Sequence, residues 1–310
     1  MFRPCAPAHF CIIKSQRTMD RKDFLRKGFL GTGMLAASPM LANLVENDID
    51  ELRPLDVVGF NHLPSETPRI MANTVLHKAA TRGGADHGWL KAKHTFSFAN
   101  YYDPQRMHFG VLRVLNDDRI AAGMGFGTHP HDNMEIITIP LSGTVAHKDS
   151  MGNSGTISPG EVQVMSAGTG VTHSEFNHKS DEELRLLQIW LFPNKRGVTP
   201  RYDQIKFEVN DRRNKFQQIL SPKADDAGVW IHQNAWFHMG AFDKDFKTTY
   251  SLKDKRNGVY AFVIKGDVTV NGNALNERDG LGVWDVDELS VQANSQDAEL
   301  LLMEVPMQLN

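Results

Sequence analysis

The sequence predicts an all-β protein with few short helices, and two observations carry that prediction. Short runs of aliphatic and β-branched residues, such as Ile136-Ile137-Thr138-Ile139 and Val259-Tyr260-Ala261-Phe262-Val263-Ile264, are bounded by turn residues, the pattern of strands joined by tight turns. Histidines and carboxylates fall two apart on such segments, in His129-Pro130-His131 and in His173-Ser174-Glu175, and residues i and i+2 of a strand point to the same face.

The N-terminus reads as a targeting segment within an extension covering residues 1–45. From Met19 the chain runs Asp20-Arg21-Lys22-Asp23-Phe24-Leu25-Arg26-Lys27, then an apolar stretch from Gly28 to Ala37, then small residues around Ala36-Ala37-Ser38. That is the order of charged, apolar and cleavage regions. Arg21-Lys22-x-Phe24-Leu25 resembles a twin-arginine export signal with Lys in place of the second Arg. It predicts a periplasmic or exported protein, the alternative being a cytoplasmic one with an amphipathic or disordered extension. The apolar run is too short to serve as a stable membrane anchor. Met19 is a candidate start, which would leave Cys5 and Cys11, the chain's 2 cysteines, outside the protein. No cysteine follows them, so any metal chemistry rests on His and carboxylates.

Residues 46–73 are charged, contain Pro54, Pro64 and Pro68, and carry no clear period, as a linker would. A first barrel is expected over 74–195. After Glu135 its strand-like runs alternate with turns at Ser142-Gly143, at Met151-Gly152-Asn153-Ser154-Gly155 and at Ser158-Pro159-Gly160, as in an antiparallel meander or barrel. Residues 44 apart (173 − 129) can then lie side by side.

His129, His131 and His173, with a carboxylate from Glu135 or Glu175, can therefore supply three imidazoles and one acid to a single ion. Two two-toothed strands would leave open positions on a six-coordinate metal, a catalytic arrangement rather than a closed structural one. Among the chain's 13 histidines, His94, His108, His147 and His178 are assigned ordinary surface or hydrogen-bonding roles.

The same residues carry a family resemblance. Gly123, His129-x-His131, Glu135 and Gly143 resemble the first cupin motif, and Gly160, Ser166-Ala167-Gly168, His173 and Asn177 the second, with Ser166 where Pro is usual. More narrowly, His94-Thr95-Phe96-Ser97-Phe98, His147-Lys148-Asp149-Ser150-Met151-Gly152-Asn153, Ser166 to Glu175 and Leu187-Gln188-Ile189-Trp190 resemble the pirin family. Pro193-Asn194-Lys195-Arg196-Gly197-Val198-Thr199-Pro200-Arg201-Tyr202 resembles its bacterial quercetinase-like branch. The resemblance implies two tandem cupin barrels of the double-stranded β-helix (jelly-roll) type. It also implies one metal, most often Fe(II), with Mn, Ni, Cu or Zn as alternatives. The ligands it implies are His129, His131, His173 and Glu175, leaving Glu135 as a proton-handling candidate beside them. In the general cupin pattern Glu135 would be the ligand instead.

The implied activity is that of a quercetin 2,3-dioxygenase, cleaving a flavonol or related aromatic small molecule with dioxygen, with Glu175 or Glu135 taking the hydroxyl proton. Two rivals stand beside it: a redox-sensing module that binds an unspecified partner protein without turnover, and a cupin acting on another small molecule.

The chain from 196 to 310 repeats the strand pattern without the chemistry. Val268-Thr269-Val270 follows a turn at Lys265-Gly266-Asp267, and Asn271-Gly272 is a hairpin signal. No His-x-His occurs there, and His232 and His238 are too far apart to pair, so a second metal is not expected. At 310 residues and 41% hydrophobic content the chain can build two cores. A formal net charge of −3 gives no footprint for nucleic acid.

Overall fold

A computed structural model describes residues 72–309. The export-signal reading, both cysteines and almost all of the linker reading lie outside the described residues. Within them two short 3-10 turns, Ala79–Thr81 and Val209–Arg212, are the helical elements, and the strands form two seven-stranded and two four-stranded sheets. No helix among the described residues is long and apolar enough to cross a membrane.

Side-chain alternation explains how the sheets stack. Strand Asn257–Lys265 is buried along almost its whole length. Its Val259, Ala261 and Val263 fill one core, with Val268, Leu289 and Val291 of a four-stranded sheet, while Tyr260, Phe262 and Ile264 face another. The second of those cores also takes Ile137 and Ile139 from strand Glu135–Ser142 and Leu187 and Ile189 from strand Leu184–Leu191. Each large sheet thus turns an apolar face toward the other barrel, and in the first barrel the opposite, inward face also carries the buried polar residues Thr138 and Gln188. Continuous apolar runs are the sequence trace of strands covered on both sides.

The barrels exchange edge strands. Asn73–His77 pairs with Gly280–Trp284 in the second barrel's large sheet, and Arg201–Lys206 pairs with Glu161–Ser166 in the first. The division expected from the sequence, 74–195 and 196–310, therefore assigns each of these strands to the wrong sheet. Alternation reveals that a segment is a strand, but not which distant edge completes its hydrogen bonds.

The segment 193–200 lies against the loops beside the histidines. Gly197 N–H donates to Asn133 Oδ1 at 2.7 Å, and Thr169 N–H donates to the Val198 carbonyl at 2.9 Å. Gly168 has φ +49°, and a Cβ there would run into that same carbonyl, so only glycine permits the approach.

Candidate metal centre

Three adjacent strands of one four-stranded sheet, Gly125–His131, Val171–Asn177 and Val145–Asp149, build the site. The antiparallel register sets His173 opposite His129 on one side and opposite Asp149 on the other, with Glu175 opposite His147. Each strand contributes a pair spaced two apart, so all six side chains can share a face. A register shift between His173 and Glu175 marks a local irregularity against the His129 strand, a device common next to functional sites.

The rings are close. Centroids lie 4.9 Å apart for His129 and His131, 4.4 Å for His129 and His173, 4.9 Å for His131 and His173, and 5.4 Å for His147 and His173. Ligand atoms of His129, His131 and His173 all fall within 4.8 Å of one another, and so do those of His147, His173 and Glu175. His173 belongs to both groups.

The electrostatics suit a cation. Burial, then the neighbouring His129, His131 and His147, push the His173 pKa down to about 2, and burial brings His131 down to about 4. Both are neutral at ordinary pH, the form that ligates metals. Neither ring nitrogen of His173 has a hydrogen-bond partner among the described residues, although the residue is buried. Such a pair of orphaned buried atoms is costly, and an ion is the partner that fits a nitrogen facing other imidazoles. His129 donates from Nδ1–H to the Gly127 carbonyl at 2.8 Å, which leaves Nε2 free and fixes the ring.

Glu175 completes the cluster. Thr138 Oγ1 donates to one of its oxygens at 3.1 Å and Gln188 Nε2 to the other at 2.8 Å. Burial raises its pKa to about 7 against the opposing effect of those hydrogen bonds.

Two sequence-based assignments change. His147, given an ordinary role, is buried within the cluster, with Nε2 at 3.3 Å from Asp149 and Nδ1 without a partner among the described residues. Asp149 is itself held by the N–H groups of Met151 and Asn153 and by Asn153 Nδ2, which accounts for the run His147 to Asn153. The spacing of His147 and Asp149 repeats that of the other two pairs and is the signal that was available.

Glu135, a candidate ligand and proton handler, stands elsewhere. It pairs across its strands with Leu191 and Ser166, on the face turned toward the second barrel, whereas Thr138 lies on the face turned toward Glu175. Its carboxylate accepts from Ser166 Oγ at 2.7 Å and from the backbone N–H of His232. Glu135 is therefore neither a ligand nor a proton handler of this centre: it lies three positions from Thr138, an odd offset that turns it to the other face of the strand.

Of the remaining histidines, His94 meets Asn116 at 2.9 Å, His108 donates to the Gly110 carbonyl at 2.9 Å, and His178 is exposed. In the second barrel Leu289 and Val291 occupy the strand whose counterpart carries His173 and Glu175, and Val268 and Val270 the counterpart of His147. Apolar side chains take the places of the ligands there.

The pirin description matches residues 75–191, and a quercetinase C-terminal cupin domain matches 218–305. A quercetin 2,3-dioxygenase of Escherichia coli K12 is 49% identical over 231 residues, covering 74% of this chain and 98% of that protein. This chain belongs to the pirin family. A pirin-like protein of Caulobacter vibrioides is 46% identical over 72% of this chain and 95% of its own length. The crystal structure of the bacterial pirin YhhW from Escherichia coli in complex with nickel(II) superposes with a TM-score of 0.71 at 48% identity, covering 76% of this chain and 99% of that one. Membership accounts for the two cupin barrels.

Proposed function

We propose that this pirin is a metal-dependent dioxygenase that oxidatively cleaves a flavonol such as quercetin or a related phenolic. The observation that carries the reading is His173, buried among three further imidazoles with both ring nitrogens unpartnered. The relatives named quercetin 2,3-dioxygenase and the nickel complex of a bacterial pirin support it.

His129, His131, His173 and Glu175 would hold one divalent ion, with Fe(II) the preferred occupant and Mn, Ni, Cu and Zn the alternatives. When bound, such an ion supplies positive charge that favours the ionised form of a substrate hydroxyl and open positions for substrate and dioxygen. The chain supplies the rest. Thr138 and Gln188 hold Glu175 in place, and Glu175 is the carboxylate available to take the proton of a docking hydroxyl. Trp190, edge-on to His131 at 4.9 Å, and the partly buried Met134 and Met151 give the neighbourhood an apolar wall suited to an aromatic ring.

Protein loaded anaerobically with Fe(II) is expected to consume oxygen on addition of quercetin, and His131→Ala to lose both metal and oxygen uptake. Uptake unaltered by that substitution refutes the reading. Stoichiometric metal with no uptake across a panel of flavonoids and phenols would favour the redox-sensing alternative.

Export is proposed on the strength of residues 19–38, and fractionation of the native host tests it.

A further inference from the structure

The middle strand of the metal centre, Val171–Asn177, has histidine-bearing neighbours on both sides. On one side strand Gly125–His131 supplies His129 and His131. On the other, strand Val145–Asp149 sets His147 directly opposite Glu175. The ligand set of His129, His131, His173 and Glu175 leaves that imidazole unused.

His147 is held the way metal-bound histidines are held. Its side chain and that of Asp149 are fully buried, and its Nε2 lies 3.3 Å from Asp149 Oδ2. Asp149 is fixed in turn by the N–H groups of Met151 and Asn153 and by Asn153 Nδ2. A carboxylate anchored in this way orients the ring and sets its tautomer. With Nε2–H donating to Asp149, Nδ1 is the unprotonated nitrogen, and it is buried with no partner among the described residues. A buried lone pair without a donor is unfavourable unless something else takes it up. The Tyr202 ring, 4.9 Å away, restrains the imidazole further.

The donors converge. Ligand atoms of His147, His173 and Glu175 lie within 4.8 Å of one another, and all three residues are buried, whereas His129 and His131 are half-buried. Two imidazoles and one carboxylate form the donor set that suits non-haem Fe(II) and leaves positions open for other ligands.

We infer that the centre has a second, inner seat for a divalent metal ion, formed by His147, His173 and Glu175. Because His173 and Glu175 serve both seats, one ion occupies either the outer seat or the inner one, and His147 is the residue that distinguishes them. The inference rests on the metal-binding part of the function proposed above and not on the identity of the substrate.

Titration with Co(II), which reports its own ligands through visible absorption, tests the inference in a Cys5→Ser/Cys11→Ser background. The parent is expected to bind one Co(II). His129→Ala/His131→Ala should still bind one, more weakly and with too little affinity to survive desalting. Asp149→Asn should weaken that residual binding about tenfold further, and His147→Phe should abolish it. His147→Cys in place of His147→Phe should restore binding with a thiolate-to-Co(II) charge-transfer band, a signature that a purely structural role for position 147 would not produce. The same series built on His131→Ala alone covers the case in which the double variant fails to fold, as judged by circular dichroism of the metal-free protein. No Co(II) binding by the folded outer-seat variants, binding unchanged by His147→Phe, or a His147→Cys variant that binds without the band would overturn the inner seat alone. A parent that binds no Co(II) would overturn the inner seat together with the ligand assignment it extends.

Discussion

Glu135 and Thr138 sit three residues apart on one strand and serve opposite faces of the sheet: Thr138 donates to Glu175 beside the imidazoles, and Glu135 accepts from Ser166 toward the second barrel. The consequences for the two residues are different and measurable.

Glu135→Gln should leave metal content unchanged and alter the pH dependence of stability. Burial raises the Glu135 pKa from 4.5 to about 7, so the unfolded chain ionises first as pH rises. The penalty is absent below about 4.5, accumulates with rising pH and is complete above about 7. At 1.36 kcal/mol per pH unit it is on the order of 3 kcal/mol. Urea unfolding of metal-free protein between pH 5 and 8 should show a shallower loss of stability for the variant than for the parent. Loss of metal from the variant would contradict the placement.

Thr138→Val keeps the shape of a fully buried side chain and removes a donor to Glu175. Support of this kind around ligands is worth about 10–100-fold in metal affinity. Competition with a chelator of known affinity should reveal that weakening, with thermal unfolding of the metal-free form little changed.

His173→Leu reproduces in the first barrel what Leu289 does in the second. It deletes two unpartnered buried nitrogens, so metal-free protein should gain about 1–3 kcal/mol. The gain should grow as pH falls below 6.5, because folded His173 stays neutral down to about 2 while the unfolded chain takes up a proton. Added metal should raise the unfolding temperature of the parent and not of the variant.

His77→Phe tests the exchanged strand. His77 Nδ1 meets the hydroxyl of fully buried Tyr260 at 2.8 Å, and removing its partner should cost about 1–3 kcal/mol. Unfolding midpoints should fall while metal content is retained, since the strand belongs to the second barrel's sheet.

The parts of the centre that rest on local spacing were legible in the sequence. His129 with His131, and His173 with Glu175, follow from strand alternation, and short runs between turns imply the strands that carry them. What alternation does not give is the phase of a strand relative to its neighbours. Glu135 follows closely on His131 but lies past a turn at Asn133, whose φ of +45° reorients the chain, so counting from the histidines could not assign its face. His147 was hidden because its partner in the cluster, Glu175, is 28 residues away (175 − 147) and joins it only through register. The exchange of edge strands has no local signature, since it depends on which sheet edge is free at the end of folding.

That exchange also bears on how the chain assembles. Asn73–His77 leaves the ribosome about 200 residues ahead of Gly280–Trp284 (280 − 77 = 203), the strand it will join. The N-terminal half can close around its ion during synthesis, but its first strand must wait for the last part of the polypeptide before it docks. A protease that nicks the stretch between Pro193 and Pro200 in the finished protein would then yield two fragments that remain clasped, each holding a strand that completes the other.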